Sequence, residues 1–166
     1  SFGAAWSPEG FDVVVMLARG RVEPLSGARV HNLPSPRKRR MLVVPLRTLP
    51  CGLGVTVVTA HLDSGPPGDI APAAPGASGS QTWAMVRALQ LKVALETLAG
   101  CRGDGVVLAG DLNLRDGEDV DAQVSSGASM TPRKWCDAWR LAGSCAETEA
   151  TWAECGAYRF DRVLLY

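Results

Sequence analysis

The 166-residue chain carries no net charge: seventeen Lys and Arg balance seventeen Asp and Glu. With no global field, attraction to nucleic acid or to a membrane has to come from local clusters. There is no uninterrupted apolar stretch near the roughly 20 residues needed to span a bilayer. The opening SFGAAWSPEG has neither the basic start nor the apolar block of a secretory signal. Five cysteines (Cys51, Cys101, Cys136, Cys145, Cys155) are an odd number with no CxxC pair. That argues against a disulfide framework or a zinc knuckle and for a reducing setting, nucleus or cytoplasm. No internal repeat is visible. The chain also lacks a starting Met and stops at Tyr166 inside an apolar run, so a fragment of a longer protein is expected. What is present is a 46% hydrophobic composition, enough to bury the core of one domain.

Periodicity lays out an α/β chain of at least five strands. Phe11–Ala18 (FDVVVMLA) is short, β-branched and apolar, and reads as a buried strand. Met41–Leu49 and Leu53–Ala60, split by Pro50-Cys51-Gly52, suit a hairpin in which Pro45 needs an edge or a bulge. Of the residues from Ser64 to Ser80, fifteen of seventeen are Gly, Pro, Ala or Ser, which reads as a flexible surface loop within the domain. Gln81–Ala99 predicts a helix with Ala84, Ala88, Leu91, Leu95 and Leu98 on one face and Gly100 as its stop. Gly105–Ala109 is a short buried strand, so 53–60, the helix and 105–109 make a βαβ unit with parallel strands. Trp135–Leu141 suits a short helix and Arg159–Tyr166 a last strand.

Chemistry gathers where the two parallel strands stop. One runs into His61-Leu62-Asp63, the other into Gly110-Asp111-Leu112-Asn113. Ligand sites in α/β sheets form at such strand ends. Asp111 and Asn113, two apart, leave an extended backbone on the same side. A carboxylate beside a carboxamide suits phosphate chemistry: one holds or deprotonates water or binds Mg²⁺, the other donates to a phosphoryl oxygen without adding charge. His61 could add a charge-assisted hydrogen bond. Gly110 allows a sharp bend or a close approach of substrate. The plain readings are a structural histidine and an ordinary turn. On the helix, Arg87 lies toward the apolar side and Gln90 at its margin; they either meet a structural carboxylate or brace the site. Arg37-Lys38-Arg39-Arg40, after Pro34-Ser35-Pro36, is a solvated turn, an import signal or a phosphate contact.

An ordered set of motifs then resembles a family. AHLD (Ala60–Asp63), R-x-x-Q-L (Arg87–Leu91), AGDLNLRD (Ala109–Asp116), TW (Thr151-Trp152) and RFDR (Arg159–Arg162) occur in sequence. Text at Glu9–Asp12 and at Leu33–Val43 fits as well. The set is similar to the endonuclease/exonuclease/phosphatase superfamily and, within it, to the 5′-tyrosyl-DNA phosphodiesterases of type 2. The resemblance implies a single domain over 1–166, a partial four-layer sandwich of two packed β-sheets flanked by helices. It implies Mg²⁺- (or Mn²⁺-) dependent hydrolysis of the bond between a topoisomerase tyrosine and single-stranded 5′ DNA, in DNA repair and away from membranes. By motif, Asp111 would activate water and contribute to the metal, Asn113 would position the phosphate and His61 would stabilise oxyanion charge. Asp63, where the family more often has Glu, joins Arg40, Leu114 and Arg115 among the substrate-side residues. Phe11, Trp152 and Phe160 would line the groove for single-stranded DNA, by stacking. Arg87 and Gln90 would support the site, and Asp161 would orient the family's C-terminal catalytic histidine.

Two parts of the pattern have no counterpart: the metal-binding Glu of the upstream QE motif and the terminal SDH motif. If these 166 residues were the whole protein, activity would be weak or absent, since such groups act as a unit. The Gly/Pro/Ala loop at 64–80 is also longer than usual for the family. The alternatives are another nuclease, deadenylase or phosphoinositide phosphatase of the superfamily, or a remnant that binds DNA ends without turnover.

Overall fold

The computed structural model describes residues 2–6 (as backbone), 13, 15–66, 68–73, 79–115, 135–143 and 159–166. The strands are β1 (Phe2–Trp6), β2 (Val15–Ala18), β3 (Val22–Pro24), β4 (Arg29–Asn32), β5 (Arg40–Thr48), β6 (Gly54–Ala60), β7 (Ile70–Ala71), β8 (Gln81–Thr82), β9 (Gly105–Asp111), β10 (Cys136–Asp137) and β11 (Asp161–Leu165). The helices are α1 (Trp83–Ala99) and the single turn α2 (Ala138–Leu141). A seven-stranded sheet runs β10-β11-β9-β6-β5-β3, with β4 also on β5; β1 and β2 form a separate two-stranded sheet. The α+β architecture of two sheets flanked by helices agrees with the fold that the sequence predicts.

The expected hairpin is β5–β6, antiparallel from Met41 opposite Ala60 to Arg47 opposite Gly54. Pro45 sits in its middle, where the sequence allows only an edge or a bulge. The strand is central, but β4 covers residues 40–43 of its outer side and β3 covers 46–48. Pro45 falls in the gap between them, where a missing N–H leaves no ladder partner unpaired. Its carbonyl, facing the same gap, accepts from Leu25 N–H. β6 and β9 are parallel, joined through α1, as the βαβ unit predicts.

Helix α1 is capped by Thr82, whose hydroxyl accepts the Met85 N–H, and Gly100 closes it. Its buried stripe is Trp83, Val86, Arg87, Gln90, Leu91, Ala94, Leu95 and Leu98. Ala84 and Ala88, expected on the core face, are half-buried at its margin, because two polar residues share the buried stripe. Leu91, Leu95 and Leu98 pack with Met41, Val43, Val58, Leu108 and Leu164 in one core. At about 1.5–3 kcal/mol for each fully buried leucine, this layer locks α1 onto the sheet. On the other face Leu42, Val44 and Leu46 pack with Val13, Val15 and Leu17.

Two expectations change. The described part of Phe11–Ala18 is not a buried strand of the main sheet. Val15–Ala18 pairs with β1, and Met16 points to solvent, because a ribbon lying on a sheet has only one covered face. Nor is 64–80 structureless throughout. Ile70–Ala71 pairs with Gln81–Thr82, the Trp83 N–H donates to Asp69 carbonyl oxygen, and Ala71 is buried against Trp83 and Val86. The segment folds back onto the start of α1 because Trp83 offers an apolar surface there. Among the described helices, none is long and apolar enough to cross a membrane.

Candidate functional site

Four strand ends meet at one rim of the large sheet: β6 and β9 stop there, β5 and β11 start there. Leu62 N–H donates to Asp111 carbonyl oxygen (3.0 Å) and Leu112 N–H to Phe160 carbonyl oxygen (2.9 Å), so the ladder continues past the strands into the site loops. Gly110 permits this crossing. A Cβ at that position would overlap the carbonyl oxygen of Ala60. At Gly110 the structure shows a close approach of neighbouring backbone.

His61 and Asp111 are brought together, Nε2 to Oδ2, at 3.5 Å. Asp111 Oδ1 accepts the Asn113 N–H (3.0 Å), bending the chain so that Asn113 takes a left-handed φ of 51°. The Asn113 amide then donates to Leu62 carbonyl oxygen (3.0 Å), tying the two loops together. One amide proton is spent on that bond, leaving one for a ligand. Asp161 stands directly opposite Asp111 in the β9–β11 ladder.

Arg39 covers the other side of His61, with its guanidinium nitrogens 3.2 Å from Nδ1 and 3.4 Å from Nε2. A neutral imidazole accepts at only one nitrogen. Arg39 can therefore donate to only one of the two; in the tautomer that accepts at Nδ1, the Nε2 proton faces Asp111. Burial lowers the His61 pKa, and the Arg39 charge lowers it further; Asp111, Asp63 and Asp161 oppose them. The balance favours the neutral ring relative to a free imidazole. Arg39 places a permanent positive charge beside the ring.

The resemblance puts Asp63 on the substrate side. In the structure it is fully buried, with 0% exposure. Its Oδ2 accepts from Ser35 Oγ (2.6 Å) and Gln90 Nε2 (2.8 Å), and Gln90 Oε1 takes the Asp63 N–H (3.0 Å). Oδ1 faces Arg39 Nε at 3.7 Å and Arg37 Nε at 4.0 Å. Arg87, also fully buried, donates to the carbonyls of Asp63 and Gly65. So Arg87 and Gln90 hold the 61–65 segment from below, and Asp63 is an internal tie. A carboxylate one methylene shorter than Glu stays beneath the rim, where Ser35 meets it. Leu114 likewise is buried in the core rather than facing a ligand.

Arg115 lies over the Phe160 ring at 6.0 Å, so those two share one flank. Arg40 begins β5 one step past the Met41–Ala60 pair, which puts its backbone opposite His61. Phe11 and Trp152 lie outside the described residues. Two sets of groups escape a reading of the sequence. Ser35 and Arg39 are hidden in a proline-flanked charge run, although Arg39 precedes Met41 by two and so shares its strand phase. Asp137 Oδ2 accepts from Arg159 (2.8 Å) and Arg162 (3.2 Å), and Arg162 also reaches Leu114 carbonyl oxygen. That buried cluster anchors the RFDR segment behind the site.

Asp111 and Asp161 on one rung suit a cation that takes one or two carboxylates and keeps its waters. Among the described residues, however, no three His, Cys, Asp or Glu side chains group around a point. The described residues do not make up a metal site by themselves.

Two sheets flanked by helices, with His, Asp and Asn at the ends of parallel strands, make up the fold of the endonuclease/exonuclease/phosphatase superfamily of hydrolases. Among solved structures, humanized TDP2 of D. rerio is similar at 25% identity and a TM-score of 0.73, covering 99% of this chain and 61% of that one. D. rerio TDP2 complexed with single strand DNA product is 24% identical, TM-score 0.71, over 99% and 62%. An endonuclease/exonuclease/phosphatase family protein from Bacteroides thetaiotaomicron shares the fold at 12% identity, TM-score 0.58, over 92% and 53%. The chain thus spans about three fifths of these two D. rerio TDP2 chains. No family model matches the sequence, and no curated protein does.

Proposed function

We propose that the chain carries the catalytic rim of a phosphodiesterase that hydrolyses the 5′-phosphotyrosyl bond between DNA and a trapped topoisomerase. The observation that carries this reading is the convergence of His61, Asp111 and Asn113 on one rim, in the fold of a TDP2 whose crystal structure holds a single strand DNA product. Water would attack phosphorus in line, its proton passing to Asp111. The bond from phosphorus to the tyrosine oxygen would break, giving a 5′-phosphate and, after protonation, the phenol. The Asn113 amide and the Nε2–H of His61 would donate to the phosphoryl oxygens, with Arg39 supplying positive charge alongside. Members of this superfamily are typically metal-dependent; a Mg²⁺ or Mn²⁺ held partly by Asp111 would polarise the phosphoryl oxygen. Phe160, backed by Arg115, would stack on the first base of the single strand. A nuclear or cytoplasmic setting goes with that substrate.

That the described residues do not make up a metal site by themselves favours a second reading, in which the rim binds 5′ DNA ends without turnover. Cleavage of a 5′-phosphotyrosyl single-stranded oligonucleotide, with Mg²⁺ and with EDTA, beside Asp111→Asn, separates the two. Turnover that needs both Mg²⁺ and Asp111 supports the phosphodiesterase. Binding that survives EDTA with no turnover supports the second reading. Equal cleavage by Asp111→Asn refutes the assignment of the rim.

A further inference from the structure

Charge is balanced over the chain but not through it. Between residues 15 and 50 lie eight of the seventeen basic residues and one of the seventeen acidic ones. Folding sets this stretch along one edge of the large sheet. Arg37 and Lys38 stand at the rim, in the turn before β5. Arg29 opens β4 opposite Val43, partway along. Arg19 and Arg21 occupy the turn between β2 and β3, at the far end, where Val22 pairs with Thr48. All five are exposed. The lone acid, Glu23, is taken by Arg47 at 3.4 Å.

Charged residues on a sheet edge commonly serve to block edge-to-edge pairing. That purpose is met by either sign, and by a mixture, so it does not account for eight against one. Nor is this the charge on the rim itself. Arg37 lies over the Trp83 ring at the start of α1 (4.5 Å) with its side chain still 45% exposed, so it marks the rim end of this positive stretch. The nine residues of β5, at about 3.3 Å each, make an edge roughly 30 Å long. A polynucleotide places one charge per roughly 3.4 Å along each strand of a duplex, so several phosphates match this length.

We infer that this edge is a sequence-independent track for the phosphates of a polynucleotide, continuous with the rim and opposite the Arg115–Phe160 flank. Its direction away from the rim rests on the proposed function. Its partner is nucleic acid rather than an anionic membrane, because the exposed cations are strung out along the length of the edge; the exposed Met16, Leu25 and Val30 beside them are what the vesicle arm of the test below addresses.

The test uses the whole chain and Arg19→Gln/Arg21→Gln/Arg29→Gln, three positions remote from the rim. Binding of a 20-nucleotide and a 3-nucleotide 5′-phosphotyrosyl DNA is followed from 50 to 200 mM salt, with hydrolysis of the 3-mer in parallel. Each phosphate that is no longer neutralised reduces the slope of log affinity against log salt by about 0.7 for a single strand. The triple variant is expected to bind the 20-mer with a slope shallower by about two, while its handling of the 3-mer is unchanged. An unaltered slope overturns the track, and more so if the variant self-associates, which is the edge-protection outcome. Binding to phosphatidylserine vesicles but not to the 20-mer also overturns it, in favour of a membrane. A slope that falls although neither protein hydrolyses the 3-mer upholds the track while the proposed reaction fails.

Discussion

Replacing Asp63 by alanine tests whether the second residue after the histidine is a tie or a ligand contact. Its carboxylate has no exposure and accepts from Ser35 and Gln90, with Arg39 and Arg37 alongside. Alanine leaves the Gln90 amide and the Ser35 hydroxyl without their acceptor and the two guanidinium groups without their nearest anion. Breaking a buried charge pair on one side costs about 3–5 kcal/mol. At this chain length each kcal/mol moves the thermal midpoint by about 2–4 °C, so the midpoint should fall by roughly 6–20 °C. Asp63→Asn keeps the shape and loses the charge; it should cost less, about 1–3 kcal/mol. Calorimetry and urea unfolding followed by tryptophan fluorescence measure both. A surface ligand contact behaves differently: its removal leaves stability within about 0.5 kcal/mol and weakens only binding. If Asp63→Ala unfolds within about 2 °C of the parent, the smallest shift one kcal/mol would give, the internal-tie reading is refuted.

Gly110→Ala puts a Cβ into the Ala60 carbonyl; overpacking and backbone strain together should cost roughly 2–5 kcal/mol, read by urea midpoint. Asp137→Ala leaves Arg159 and Arg162 buried around no anion, and a loss of about 3–5 kcal/mol is expected; an unchanged midpoint would show the cluster to be ornamental. For His61 the folded pKa lies below 6.5, through burial and then Arg39, so the unfolded chain binds the extra proton. Stability from this group is therefore full above pH 6.5 and declines as pH falls from there through the lower folded value. Arg39→Gln should raise the His61 pKa in an NMR titration, and no rise would remove Arg39 as a cause.

The strands that build the rim are readable because their patterns are local. An apolar β-branched run ending in His61, and another ending in Gly110-Asp111, need only the intervening helix to be set parallel. That Asp111 and Asn113 stand together is legible from their spacing, but the cause is a turn rather than strand alternation, since β9 ends at Asp111 and Asn113 takes a left-handed φ. The roles of Asp63 and Arg39 are not readable, since burial depends on which segment lies across the sheet. The turn at Ser35 comes 28 residues before Asp63 in the chain, and nothing local announces that Ser35 will meet it. Gly110 shows the same division. Its lack of a side chain is written in the sequence, while what approaches it, the Ala60 backbone, is decided by β6 lying against β9. The eight-to-one charge bias of residues 15–50 is likewise a property of the sequence. That it forms one continuous edge is set by β3 and β4 both pairing with β5, a choice made by the apolar faces packing around them. Alternation, capping and composition act over a few residues and are legible there. Burial and close approach are long-range, and only the tertiary structure fixes them.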